Sequence, residues 1–514
     1  MSHIKSLTYL FSFSMVLVLL SGMACTPAAL DTISKTATYS ELTETQIETV
    51  FPNSAQSTPS PPQPLFTKTV KIPDPAVVDS QSNSEYKISV FFNYGLQHAR
   101  VTQEINYKNI MPQAINSFIL ACDPLRYEGA ISIKEVSVNQ KNSDFEIGSY
   151  WLEINLKEAL QQGEQATIDL SYELTLPPIP EPADDRKPAI FGYTPLQSNF
   201  ADWYPMIVPR DENGNWLLHR PWFYGEYLVY DLANYSVDIQ IEDFRENLLI
   251  AASAKNESGQ NGSYHYHHEN ARNFVFSVSP SYQFSQTNVE GIAITSYYFP
   301  FHKSAGEQVL QETAKAVALY TRLFGPILNN NLTVVEADFL DGMEFDSFYF
   351  LSRGFYNLFD GTPKGYLTTI AVHETAHQWW YTSVANDQAM QPWLDEALCT
   401  YSEYLYYENI YPQLSSWWWA YRVDFYNPAG YINAPIYDYQ GFIPYRDAVY
   451  LQGAKFLHTL RASMGDVAFF EFLQQYKNKF NGKLSTESEF WQLAESISKN
   501  DLSSIKSTFF NSGP

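Results

Sequence analysis

Hydrophobic periodicity changes once along this chain, and the change divides it into two kinds of structure. From Tyr86 to about Pro300, apolar residues alternate with polar ones in short runs, over 86–92, 99–105, 131–138, 151–156, 166–174, 235–241 and 274–278. Period two marks strands with one buried face, and the Gly, Asn and Asp clusters between the runs supply turns. After Pro300, residues Val309, Ala316, Val317, Tyr320 and Phe324 recur at helical spacing and predict a helix from near Ser304. Beyond it the chain reads as mostly helical, with one strand-like run at 332–336 and two helical stretches after Phe469. The expected fold is α+β and multidomain. An antiparallel β domain should cover 85–298, and a mostly helical domain 299–514.

The first residues read as an address. His3 and Lys5 precede an apolar run over 7–20, and the small residues Ser21, Gly22 and Ala24 follow it, as in a secretory signal over 1–24. The run is short for a spanning helix, which needs roughly 20 apolar residues. Cys25, directly after Gly22-Met23-Ala24, resembles the lipidated cysteine of a bacterial lipobox. Residues 25–84 are rich in Pro, Ser and Thr with no hydrophobic period, and are expected to form an extended tether. The expectation is an exported protein, a cell-surface or periplasmic lipoprotein or otherwise secreted, touching membrane only through Cys25. A formal charge of -24, from 32 Lys plus Arg against 56 Asp plus Glu, excludes nucleic acid as a partner. Three cysteines cannot build a disulfide framework, so the fold must stand on its core.

Chemistry enters with His373-Glu374-Thr375-Ala376-His377. Positions i and i+4 share one helix face, so both imidazoles can reach one metal ion, with Glu374 beside them to take a proton from water. Residues 366–372 are apolar or small and contain no proline, which suits a buried helix. A catalytic zinc needs a third protein ligand and an open fourth position. Glu396 follows His377 with eighteen residues between, on a second helix whose first turn suits Pro392. Another histidine pair, His265 and His267, would share one strand face, but an exposed hairpin near Asn261-Gly262 explains it more simply.

That spacing is similar to the zinc signature of the aminopeptidase N type gluzincins, a family that also holds leukotriene hydrolases. The segments His377-Gln378-Trp379-Trp380 and Trp393-Leu394-Asp395-Glu396 resemble the family's HQWW/F and WLNE. The resemblance implies a saddle-like β domain ahead of a thermolysin-like catalytic domain, with one zinc per chain held by His373, His377 and Glu396. Asp341-Gly342-Met343-Glu344-Phe345 resembles the GAMEN or GGMEY exopeptidase loop, 29 positions before His373 at Glu344. It implies that Glu344 binds the free amino terminus of a peptide, with Gly342 and Met343 beside it along the substrate. Asp341 and Phe345 depart from the family pattern. Ala448-Val449-Tyr450-Leu451-Gln452-Gly453-Ala454 resembles YEKGA, and implies that Tyr450 donates to the oxyanion. Glu403 matches a family glutamate that supports a zinc histidine. Gln197 is a candidate substrate contact from the β domain, and Cys399 is expected to be small buried packing.

The implied activity is hydrolysis of the first peptide bond of peptides with a free N-terminus, Glu374 serving as general base and then general acid. Some 60 residues follow Tyr450, as in a short bacterial form without a large helical C-terminal domain. The alternatives are a zinc endopeptidase, an epoxide-hydrolase-like relative, and a zinc-binding relative without turnover.

Overall fold

A computed structural model describes residues 84–180, 189–259, 261–339 and 342–511. The expected signal, Cys25, the tether up to residue 83 and Asp341 lie outside the described residues. Ser84, the last residue of the expected tether, opens the first strand.

Strand Ser84–Asn93 shows how alternation becomes structure. Tyr86, Ile88, Val90 and Phe92 turn inward, and the residues between them are exposed or half-buried. This strand pairs antiparallel with His98–Lys108 and parallel with Ala233–Ile241, near the middle of an eight-stranded sheet. All other pairings in that sheet are antiparallel. Two four-stranded sheets accompany it. Aromatic rings join the large sheet to one of them: Phe92 meets Phe200 edge-on at 4.9 Å, and within that smaller sheet Phe200 stacks on Phe276 at 4.2 Å. The first half is therefore β-rich, with one parallel strand pair in its large sheet.

The second half opens with helix α1 (Lys303–Phe324), whose apolar stripe Val309, Ala316, Val317, Tyr320 and Phe324 is buried. More strand follows than the expected run at 332–336. A five-stranded sheet runs in the order Gln283–Val289, Ile292–Tyr298, Asn331–Ala337, Phe348–Ser352 and Met343–Phe345. Phe348–Ser352 is buried at every position, so its apolar run carries no alternation. Met343–Phe345 is too short to show any period. Ile292–Tyr298 pairs in parallel with Asn331–Ala337, so the change of period near residue 300 falls inside one sheet, not between two. Helices α2 (Tyr366–Ala376), α3 (Trp393–Ile410) and α4 (Gly453–Met464) then build the helical part, with α3 packed against both others. No described helix is long and apolar enough to cross a membrane.

Candidate active site

Helix α2 is buried along nearly its whole length, and it carries His373 and Glu374 before ending at His377. The two Nε2 atoms converge to 3.2 Å. Glu396, in the first turn of α3, brings Oε2 to 3.1 Å from His373 Nε2 and 3.6 Å from His377 Nε2. A tetrahedral zinc site with bonds of about 2.0–2.2 Å has edges of about 3.3 Å, so this spacing suits the ion. The far side of each ring agrees. His373 Nδ1 lies 2.8 Å from Glu403 Oε1, and His377 Nδ1 donates to the Trp380 carbonyl at 3.2 Å. Both Nδ1 atoms are occupied, which leaves both Nε2 lone pairs for a metal.

Charge is concentrated here. Burial opposes a proton on His373, but hydrogen bonds to Glu396 and Glu403 outweigh it and lift the imidazole to about 9. Burial also opposes ionisation of Glu396, yet the bonds from His373 and His377 hold it well below the carboxylate range. Burial lifts Glu374 to about 8, against the pull of both histidines. A cation among the three ligands would act against that rise. Glu374 Oε2 is buried without a hydrogen-bond partner among the described residues, an acceptor left open beside the ligand cluster. Gly342 is what lets the backbone pass close by: a Cβ there would sit 2.3 Å from Glu374 Oε1.

Tyr450 lies on a π-helical turn, Asp447–Gln452, that leads into α4. Its ring stacks on His373 at 5.9 Å, and its hydroxyl donates to Glu396 Oε1 at 2.5 Å. Gly453 allows this approach, because a Cβ there would meet Ala397 Cβ at 2.4 Å. Burial keeps the Tyr450 phenol protonated far above its usual range.

On the other flank, Met343–Phe345 is the last strand of its sheet, with no strand partner on its outer side among the described residues. Side chains alternate. Met343 and Phe345 pack into an apolar cluster with Phe348 and Phe350, whereas Glu344 points toward His377 and Asp395. Met343 therefore offers this flank only its backbone, and the departure at Phe345 is a matter of packing. Ligand atoms of Glu344, His377 and Asp395 all lie within 4.8 Å of one another. Gln388 Nε2 joins the two carboxylates, donating to Glu344 Oε1 at 3.2 Å and to Asp395 Oδ2 at 2.8 Å. Sequence reasoning missed Gln388, and it had no periodic or spacing signal.

Other residues fall away from the site. Gln197 is fully buried: its amide donates to Asn199, Ser277 and Tyr282, and its oxygen accepts from the Asp338 backbone. A substrate contact there is corrected to a structural tie, because no polar atom of the side chain is left over. His265 and His267 are outward-facing, each with its own acid, Asp238 and Glu269. Cys399 is buried, its thiol 3.7 Å from the Trp380 carbonyl and raised by burial. Just past the motif, Tyr381 has φ of 152°, a strained backbone. Arg272, from the β-rich half, holds it in place by donating Nε to the Tyr381 and Thr382 carbonyls at 3.0 Å.

Residues 357–509 match the Peptidase family M1 domain. Two relatives are Aminopeptidase M1-D of Oryza sativa subsp. japonica, 23% identical over 43% of this chain, and Endoplasmic reticulum aminopeptidase 2 of Homo sapiens, 24% identical over 53%. The matches cover 27% and 30% of those proteins, so the chain spans less than a third of their length. Among solved structures, a mutant of the M1 zinc metallopeptidase from Deinococcus radiodurans aligns over 84% of this chain and 95% of its own, with a TM-score of 0.60. The same mutant bound to a Tyr-Ser-Ala substrate aligns over 84% and 96%, also at 0.60. Identity to both is 16%, so this likeness speaks to the fold. Over residues 357–509 the chain is thus similar to the Peptidase family M1 domain, and its two-part fold is similar to that of the solved M1 zinc metallopeptidase.

Proposed function

We propose that this protein is an exported zinc aminopeptidase that hydrolyses the N-terminal peptide bond of peptides. One observation carries the reading: an acceptor without a partner, Glu374 Oε2, stands beside three converging ligand atoms, with Glu344 on the flank. His373, His377 and Glu396 hold the ion. When bound, zinc supplies a Lewis acid that lowers the pKa of a water to about 7 and polarises a carbonyl. Glu374 takes the attacking water's proton and returns it to the leaving nitrogen, base and then acid in turn. Tyr450, kept neutral by burial, is the donor assigned to the oxyanion. Glu344, oriented by Gln388, receives the α-ammonium, so only the first peptide bond reaches the metal. The relatives named aminopeptidases support the same reaction class.

Export belongs to the proposal through residues 1–24, with lipidation at Cys25 as the anchor. Mass spectrometry of the N-terminus from the native host tests it, and an unprocessed Met1 would remove it. The enzymatic reading is tested with one peptide, free or acetylated at its N-terminus, against wild type and Glu344→Ala. Loss of a charge-assisted hydrogen bond of roughly 1.5–3 kcal/mol predicts a fall of about tenfold to hundredfold in kcat/KM for the free peptide, with zinc retained. Equal wild-type rates on both peptides would overturn the aminopeptidase reading in favour of an endopeptidase.

A further inference from the structure

The carboxylate behind His373 is held by more than the histidine needs. Glu403 is fully buried on α3, and it receives hydrogen bonds on both oxygens. His373 Nδ1 lies 2.8 Å from Oε1. Arg422 grips the same group with two nitrogens, Nη2 at 3.0 Å from Oε1 and Nε at 2.9 Å from Oε2. Trp418 Nε1 adds a bond to Oε2 at 3.0 Å. Four bonds on one carboxylate fix its plane, and a fixed plane fixes the imidazole that donates to it.

The donors share a local origin. Trp418 ends the short helix Ser415–Trp418, and Arg422 lies four residues on, in the π-helical turn Trp419–Val423. A π turn widens the helix, and such turns gather at functional sites. Here the widened turn carries Arg422 to the same oxygen, Oε2, that Trp418 reaches from the residue before it. The Arg422 charge also balances that of Glu403 where both are buried. Without it, a carboxylate sealed from water would lose the partner that holds its plane, and with that plane the acceptor that His373 Nδ1 faces.

We infer that Arg422, with Trp418, is a positioning residue that acts through Glu403 to aim the Nε2 of His373 at the metal. The inference rests on the zinc reading above, but not on turnover. It makes metal affinity depend on a guanidinium that touches neither the ligands' metal-facing atoms nor the substrate.

The test is zinc affinity of the full chain, measured by competition with a chromophoric chelator, with circular dichroism to establish folding. Removal of a supporting partner of a ligand typically costs about 10- to 100-fold in metal affinity, and Arg422→Met should lose that much. Arg422→Lys keeps the charge without the fork and should recover part of the loss. The decisive arm is the cycle with Glu403→Gln. If Arg422 acts through Glu403, the double variant loses no more than Glu403→Gln alone. Wild-type affinity in Arg422→Met, or losses that add in the double variant, would overturn the inference. If Arg422→Met does not fold, the cycle is run with Arg422→Lys. Failure of both to fold while Glu403→Gln folds makes Arg422 a core strut and also overturns it. A wild type that binds zinc but cleaves no peptide defeats the aminopeptidase reading alone, whereas one that binds no zinc defeats both.

Discussion

The two flanks of the site are built to opposite specifications. At the metal flank each ligand and its support is answered, while Glu374 Oε2 is left open: His373 has Glu403, His377 has the Trp380 carbonyl, Glu396 has Tyr450, and Glu403 has Arg422 and Trp418. At the other flank Glu344 accepts from the Gln388 amide, and Asp395 from that amide and from the Glu396 backbone, although both carboxylates are buried. A buried carboxylate calls for a cation or several donors. The metal flank brings its own supporting charge, whereas on the proposed reading the Glu344 flank is left for a ligand's ammonium to complete. On that proposal, a site divided this way would keep its ion between turnovers and gain its second positive charge only with substrate.

The largest effect that would break this division lies at the open acceptor. Glu374→Gln should keep about one zinc per chain and lose at least roughly 10²-fold in kcat, because an amide cannot take the proton. Metal analysis beside steady-state kinetics checks it, and near wild-type turnover would move the base elsewhere.

A second, smaller effect sharpens the account of the metal flank. In metal-free protein His373 sits at about 9, above the unfolded value of about 6.5. Its stabilisation is full below about pH 6.5 and is lost as pH rises through about 9, at most about 3 kcal/mol. Chelator-treated protein should therefore melt at lower temperature at pH 9 than at pH 6, and zinc loading should shrink the difference. A metal-free melting point that rises over this interval would contradict the assignment.

The smallest effect tests the other flank. Gln388→Ala removes one hydrogen bond to Glu344, worth about 1 kcal/mol, so kcat/KM on free-amine peptides should fall about fivefold with zinc content unchanged. Loss of zinc in that variant would show that the flanks are not independent.

The metal flank was readable in the sequence because its geometry is local. An i, i+4 pair fixes two ligands on any helix, and Glu396 needs only a second helix beside it. Gln388 was not readable, since it lies in a loop with no period and its partners sit 44 and 7 residues away. Arg422 was hidden for a different reason. It reaches Glu403 from a π turn, where the 3.6-residue spacing used to group helical residues no longer applies. The β-rich half was legible wherever one face meets solvent, as in Ser84–Asn93, and illegible in Phe348–Ser352, where neither does. Gln197 misled because the β-domain segment 197–205 was expected to approach the site, while its hydrogen bonds show a side chain fully used.

The strained backbone at Tyr381 bears on how such a molecule can be divided. Arg272 clamps that residue from a segment more than a hundred positions earlier, and strands 283–298 lie in the same sheet as Met343–Phe345. A chain started near residue 300 would contain every catalytic candidate but neither the clamp nor the strands that complete the sheet. The β-rich half is thus a working part of the scaffold that shapes the metal motif's exit. Chimaeras that exchange it between relatives should be joined before Arg272, not at the change of period that the sequence displays.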